Sequence, residues 1–158
     1  MKKRNQRLLI ERRGSNFGIA APAGHQDGQS PAAAARKELK EEVGLAARKL
    51  VARLKIKLNN PCRRTNNQFH VWTVFEAARW QGRVKRSKDE TKRYFWASPR
   101  AVKSLADKLE RFARAQRIPL AQKNLRKLQM TANRSRVWKK NPGLEPPMYF
   151  LFKELGII

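Results

Sequence analysis

Three glutamates, Glu38, Glu41 and Glu42, stand close together in a chain that has 12 acidic residues against 37 basic ones. Helical spacings of three and four residues would place their carboxylates on one face, about one turn apart. Carboxylates that close repel one another unless a cation neutralises them, and Mg²⁺ prefers oxygen ligands of this kind. The pattern therefore favours a metal-binding face. The alternative is a solvated face on which Lys37 and Lys40 form ordinary ion pairs.

A helix with a defined start and end is needed to hold these carboxylates in register. Ser30 stands at the position of an N-cap, and Pro31 follows at the first helical position, which suits proline. Residues 32–35 are alanines, the strongest helix formers. Gly44 stands where a left-handed glycine would end the helix. The sequence thus predicts a glycine-punctuated loop at residues 24–28, followed by a helix that ends just before Gly44.

The stretch from Gly24 to Leu45 resembles the Nudix box, a loop–helix motif of pyrophosphohydrolases. The family pattern is a glycine, five residues, a Glu, seven residues, then Arg-Glu-aliphatic-x-Glu-Glu-x-Gly-aliphatic. Residues 37–45 read KELKEEVGL, which differs from this pattern at Lys37 alone. In the first half, Gly24 matches the opening glycine, the loop is one residue shorter, and Gln29 stands at the first Glu.

This resemblance implies a Mg²⁺ or Mn²⁺ site and assigns its ligands. Glu38 and Glu42 would be the strongest metal ligands, Glu41 a ligand or a group that positions water, and the backbone carbonyl of Gly24 a further oxygen ligand. Mg²⁺ bound this way keeps several waters and also binds substrate phosphates. Gln29 can accept a hydrogen bond there but adds no negative charge.

The resemblance also implies catalytic and substrate-binding residues. Glu38 and Glu41 would take part in catalysis, joined by Glu90, because family members carry a further carboxylate outside the box. Glu90 read by itself is equally consistent with a surface acid, and Glu76 is a weaker alternative to it. Phosphate contacts are predicted for the following basic residues: His25, Lys37, Arg63 and Arg64.

The remaining elements follow from alternation, turn residues and helical caps. We expect strands at residues 7–13, 49–58, 68–77 and 90–97, a turn with a short strand at 78–88, and helices at 101–117, 120–130 and 148–155. The Nudix resemblance implies one more strand before residue 7. The sequence leaves three explanations open there: a truncated start, a sheet that lacks this strand, or an edge covered by something else.

The expected fold is an α/β Nudix-type α/β/α sandwich with a mixed sheet and a basic helical C-terminal extension. A chain of 158 residues is long enough for one domain with a real core. We assign residues 1–118 to the Nudix domain. Residues 119–158 would form the extension, packed on the same domain.

The charge is the outlying property of the composition, with a formal net charge of +25. Residues 78–141 hold 20 Lys or Arg and 4 Asp or Glu, and such an imbalance favours contact with a polyanion such as nucleic acid. Arg111 and Arg114 represent the cationic helix face. Trp80 and Trp138, which lie in basic irregular stretches, are the predicted base-stacking residues. Trp72 and Trp96 are expected in the core.

Several other classes of protein are disfavoured. The single Cys62 excludes an internal disulfide and fits the reducing cytoplasm. No apolar run approaches a membrane span, and the N-terminal apolar part is too short for a signal peptide. His25, His70 and Cys62 are widely spaced and predict no zinc site. The oligomeric state is open, a homodimer included.

Two functions remain. The first is an Mg²⁺-dependent pyrophosphohydrolase of nucleoside diphosphate derivatives, including nucleic-acid-linked substrates such as RNA 5′ ends. The second is a Nudix-fold nucleic-acid-binding protein with little or no hydrolase activity. The intact Glu38, Glu41 and Glu42 favour the first function. Gln29, the short loop and the net charge favour the second.

Overall fold

The computed structural model describes residues 2, 3, 5–14, 16–62 and 65–158. The strands are β1 (Lys2–Lys3), β2 (Gln6–Arg12), β3 (Ile19–Ala20), β4 (Ala46–Leu58), β5 (His70–Gln81) and β6 (Thr91–Ala97). The helices are α1 (Pro31–Val43), α2 (Pro99–Ala115), α3 (Leu125–Arg134), α4 (Arg136–Lys140) and α5 (Pro146–Glu154), with a 3₁₀ turn at Gln122–Asn124.

Strand β2 is the centre of the sheet that supports the site. It pairs antiparallel with β1, β3 and β6, while β4 and β5 form a separate long antiparallel pair. A single parallel bridge joins Ile19 of β3 to Leu144. The ladders are therefore antiparallel in the described part of the chain, and the parallel contribution is this one bridge.

Two hydrophobic clusters lie on opposite faces of β2, as the period of two along a strand requires. Leu9 belongs to a large cluster with residues of α2, α3 and α5. Leu8 and Ile10 belong to a smaller cluster with Leu39 and Val43 of α1. The sheet thus lies between α1 and the later helices, which confirms the predicted α/β sandwich.

The segment that leads into α5 runs beside β3. The Ile19 N–H donates to the Gly143 carbonyl at 2.9 Å, and the Glu145 N–H donates to the Ile19 carbonyl at 2.9 Å. A Cβ added at Gly18 would lie 2.6 Å from the Glu145 side chain, so glycine is needed for this approach. Residues beyond 118 share the large hydrophobic cluster with β2 and β3.

Most predicted elements are present, with a few differences. The turn and short strand predicted at residues 78–88 are not formed as expected, because β5 itself continues to Gln81 and no strand follows before β6 in this described stretch. The helix expected at 120–130 begins later, at Leu125, and residues 131–140 are largely helical. Before β2 the structure has the two-residue strand β1, which pairs Lys2 with Arg7 and Lys3 with Gln6. No helix among the described residues is long and apolar enough to cross a membrane.

Candidate active site

Helix α1 holds the three glutamates in the register that the sequence predicts. The Ser30 hydroxyl accepts a hydrogen bond from the Ala33 N–H at 3.3 Å, which caps the helix start. Gly44 has φ of 72° and ends the helix in the left-handed conformation. Both ends are thus fixed by local contacts, so the faces on which the glutamates lie are fixed as well.

Glu38 rests against the backbone of the preceding loop at Gly24. A Cβ added at Gly24 would lie 1.9 Å from the Glu38 carboxyl carbon, so only glycine leaves room for this carboxylate. Burial raises the pKa of Glu38, and the nearby carboxylates of Glu41 and Glu90 raise it further. Negative charge is therefore concentrated beside the Gly24 backbone.

Glu42 is buried, with 1% of its surface exposed, and both carboxylate oxygens have partners. Oε1 accepts from an Arg12 Nη at 2.9 Å, and Oε2 accepts from the Ala23 N–H at 2.9 Å. Burial raises the pKa of Glu42 to about 7, although Arg12 and the Ala23 N–H pull it downward. Each oxygen keeps a second lone pair for a metal ion.

Arg12 at the end of β2 is a site residue that the sequence reasoning missed. Its three guanidinium nitrogens reach Glu42, the Ala23 carbonyl at 2.8 Å and the Glu145 carboxylate at 2.9 Å. Burial would lower the pKa of Arg12, but the surrounding carboxylates, Glu145 first, raise it. No pattern in the sequence around Arg12 indicates these three contacts, because each partner lies in a different element or loop, away from Arg12 in the chain.

The other predicted residues of the acidic site are exposed. Glu41 and Lys37 lie on the solvent side of α1, and Glu90 lies just before β6. Glu90 is close enough to influence the pKa values of Glu38, Glu42 and Arg12. The alternative, Glu76, instead pairs with Arg53 at 2.7 Å.

The donor atoms suit a hard divalent cation. Glu38, Glu41, Glu42 and the Gly24 carbonyl supply oxygen only, the ligand type that Mg²⁺ and Mn²⁺ take. In the described chain, the acids do not bring three carboxylate oxygens within 4.8 Å of one another. Burial raises the pKa of Glu38, and the charges of Glu41 and Glu90 raise it further, so a cation placed here would stabilise the ionised carboxylates.

His25, Cys62 and His70 are widely spaced along the sequence, which is why no zinc site was predicted there, but the fold brings them together. One ring nitrogen of each histidine and the Cys62 sulfur all lie within 4.8 Å of one another. Spacing along the chain does not show this proximity, because it arises where the loop before α1 and the loop after β4 meet at the start of β5. The other predicted phosphate contacts, Arg63 and Arg64, lie outside the described residues.

The predicted nucleic-acid residues divide into two kinds. Arg111 and Arg114 are exposed on α2. Trp138 is only 2% exposed, donates from Nε1 to the Phe17 carbonyl at 2.7 Å and packs on Phe112, so the stacking role predicted for it is wrong. Trp80 is half-buried and stacks on Trp96 with 5.7 Å between ring centroids.

Comparison with known proteins supports the same family. The NUDIX domain model matches residues 1–120, and this chain therefore belongs to the NUDIX family. Among curated proteins, none matches this sequence.

Solved structures show the same fold at low sequence identity. A MutT NUDIX hydrolase from Burkholderia pseudomallei superposes with a TM-score of 0.55 at 19% identity, over 64% of this chain and 79% of that chain. A mutator MutT protein from Bacillus halodurans gives a TM-score of 0.50 at 19% identity, over 63% of this chain and 64% of that chain.

The family and the acidic site define the class of protein. The chain is a Nudix hydrolase that acts on phosphoanhydride bonds. Helix α1, which carries Glu38, Glu41 and Glu42, lies within the matched domain.

Proposed function

We propose that this protein is an Mg²⁺- or Mn²⁺-dependent pyrophosphohydrolase of nucleoside diphosphate derivatives. The observation that carries the proposal is the packing of Glu38 on Gly24 within reach of Glu41, Glu42 and Glu90. A concentration of acidic residues on one helix in a chain of net charge +25 is best explained by a cation, which would draw these carboxylates together.

Each residue has a separate task in this scheme. Glu38, Glu41, Glu42 and the Gly24 carbonyl would hold the ion, which when bound would neutralise charge on the phosphates and make a water more acidic. Glu90, exposed at the edge of the site, accepts the proton of the attacking water. The new P–O bond forms as the P–O bond of the anhydride bridge breaks. Lys37 contacts the substrate phosphates as a point charge.

Arg12 acts through the glutamates. It balances the charge of Glu42 and holds the Ala23 carbonyl, so that the loop carrying Gly24 stays against α1. Arg12 is therefore a positioning residue, and the exposed Glu41 and Glu90 face the substrate side.

The basic surface selects the class of substrate within this scheme. The exposed arginines of α2, Arg111 and Arg114 among them, attract a polyanion to the same molecule that carries the acidic site. We therefore propose that nucleic-acid-linked diphosphates, such as an RNA 5′ end, are preferred over small nucleotides.

Turnover measured on a panel of substrates tests the activity. Phosphate release from nucleoside diphosphate derivatives and from 5′-triphosphorylated RNA is compared for wild type, Glu38→Gln and the matched control Glu154→Gln, which alters an exposed acid in α5. We expect Glu38→Gln to lose activity on every substrate and Glu154→Gln to keep it. No turnover on any substrate, or equal turnover in Glu38→Gln and wild type, would overturn the proposal.

A second function, nucleic-acid binding with little or no hydrolysis, is favoured by the exposed cations of α2. Gln29, exposed in the loop before α1, supplies no negative charge there. RNA affinity measured against salt concentration tests this function, because each neutralised phosphate contributes to the slope of log K against log salt. A flat dependence would exclude it. Salt-dependent binding without turnover would select it over the enzyme.

A further inference from the structure

We propose that His25, Cys62 and His70 form a second metal site, which binds a thiophilic divalent cation of the Zn²⁺ type. The group is separate from the oxygen-only site of α1 in its donor atoms, which are two imidazole nitrogens and one sulfur. It does not depend on the hydrolase activity proposed above.

The distances within the group already approach those of a zinc site. His25 Nε2 lies 3.4 Å from the Cys62 sulfur. In a tetrahedral site with Zn–N of about 2.0 Å and Zn–S of about 2.3 Å, nitrogen and sulfur ligands lie about 3.5 Å apart. All three ligand atoms fall within 4.8 Å of one another, so small side-chain rotations suffice to close them around one ion.

A neighbouring residue orients one of the ligands. His70 Nδ1 lies 2.9 Å from the Asn60 carbonyl oxygen and 3.0 Å from the Asn60 side-chain nitrogen, so either tautomer of His70 finds a partner. When Nδ1–H donates to the carbonyl, Nε2 carries the lone pair that a metal needs. Histidine ligands of zinc commonly donate their other N–H to a backbone carbonyl in this way.

Asn60 and Cys62 are buried and hydrogen-bonded, which holds the ligands of the proposed site in place. Asn60 is 1% exposed, and its Oδ1 accepts from the Trp72 indole N–H at 3.2 Å. Cys62 is 7% exposed, and its backbone N–H donates to the Asn67 carbonyl at 2.8 Å. The histidines are half-buried, which leaves a path for the ion and a fourth position for water.

The chemistry selects the ion. Two imidazoles and a thiolate suit Zn²⁺ and are poor ligands for Mg²⁺, which prefers oxygen. The Cys62 thiol gives up its proton on binding, since the thiolate is the ligand. The two metal sites of one chain would therefore take different ions from the same solution.

The position of the group suggests what the ion does. His25 follows Gly24, which packs on Glu38, and Ala23, whose N–H binds Glu42. A metal that ties His25 to Cys62 and His70 would fix the loop carrying both contacts. The predicted effect is a more rigid support for the acidic site.

Cobalt substitution tests the site in the full chain. Metal-stripped protein is titrated with Co²⁺ in excess Mg²⁺, and the thiolate-to-cobalt charge-transfer absorption band is followed. We expect a band that saturates at one Co²⁺ per chain, that Zn²⁺ abolishes, and that is absent in Cys62→Ser. His25→Gln and His70→Gln should each weaken Co²⁺ binding at least tenfold. Glu38→Gln, which alters the oxygen-only site, should keep the band.

A second measurement covers the case in which Cys62→Ser fails to fold. Alkylation of Cys62 in the wild-type protein should slow at least tenfold when one equivalent of Zn²⁺ is present, and Mg²⁺ should give no protection. Absence of the cobalt band in the wild type, or a band and zinc protection unchanged in both histidine variants, would overturn the proposal. The latter result would mean that Cys62 binds the ion alone.

Discussion

Arg12 and Glu145 form a buried ion pair with 2.9 Å between Nε and the carboxylate, and this pair links the end of β2 to the segment before α5. The Glu145 side chain is 4% exposed and that of Arg12 is 18% exposed. Because Arg12 also pairs with Glu42, one guanidinium balances a glutamate of the box helix and a glutamate of the C-terminal segment. The acidic site thus depends on residues beyond the matched domain.

Arg12→Lys should destabilise the fold strongly. A lysine keeps the charge but cannot reach Glu42, the Ala23 carbonyl and Glu145 together, as three guanidinium nitrogens do. At least one buried carboxylate would then lack its cationic partner. Because an uncompensated buried charge is costly, we expect a loss of roughly 3 kcal/mol in the free energy of unfolding. Urea denaturation measures it.

The matched control for this substitution is Arg53→Lys. Arg53 pairs with Glu76, but its side chain is 50% exposed, and surface pairs contribute less than about 1 kcal/mol. Equal unfolding midpoints for Arg12→Lys and Arg53→Lys would contradict the role given to Arg12.

Stability of the metal-free protein should fall as pH rises through neutrality. The folded pKa of Glu42 is about 7, above the unfolded value of 4.5, so the folded state binds the proton more tightly. The stabilisation is complete below the unfolded pKa, declines above it, and is lost once the pH passes the folded pKa. A shift of this size corresponds to roughly 3 kcal/mol, read from urea unfolding in chelator between pH 4.5 and 8.

Glu42→Gln isolates this effect. Glutamine does not titrate, so Glu145 remains as the carboxylate that pairs with Arg12 in this variant. Burial raises the pKa of Glu145 in the wild type. We expect a much flatter pH dependence in this variant. An unchanged slope would show that groups other than Glu42 control it.

Local features were predictable from the sequence, and long-range contacts were not. The bounds of α1 follow from Ser30, Pro31 and Gly44, whose capping contacts lie within one helical turn. The Arg12 contacts to Glu42 and Glu145 depend on how β2, α1 and the C-terminal segment pack, so no local pattern encodes them. The same reasoning explains why the meeting of His25, Cys62 and His70 was missed.

Trp138 shows a different limit of sequence reasoning. Its basic neighbours predicted a surface position, but α4 turns Trp138 toward Phe112 while Val137 beside it is 79% exposed. Composition reports the average polarity of a segment, whereas the side that packs inward is set by tertiary contacts. Exposure of Arg111 and Arg114 was easier to predict because the apolar stripe of α2 fixes its buried face.

Gly24→Ala should separate activity from stability. The new Cβ would overlap the Glu38 carboxylate, which lies at the end of a flexible side chain and can move away without disturbing the backbone. We therefore expect little change in urea unfolding but a loss of turnover of roughly 100-fold, the size of effect that misplacing a catalytic group by about 1 Å produces.

Gly14→Ala is the matched control for Gly24→Ala. A Cβ at Gly14 meets no atom within 4 Å, so this variant should keep both turnover and stability. Normal turnover in Gly24→Ala would argue against the contact between Gly24 and Glu38 as part of the active site.

Substitution of Arg111 and Arg114 by alanine tests whether α2 contacts nucleic acid. Both residues are exposed and lie one helical turn apart, so they can reach neighbouring phosphates of one strand. Removing one phosphate-binding cation should reduce the slope of log K against log salt by about 1, so we expect the double variant to lower it by about 2.

Trp138→Phe, which alters a buried ring, should leave the slope unchanged and lower stability instead, because phenylalanine has no N–H to donate to the Phe17 carbonyl. An RNA affinity and salt slope equal to wild type in the double variant would place the polyanion contact elsewhere on the basic surface.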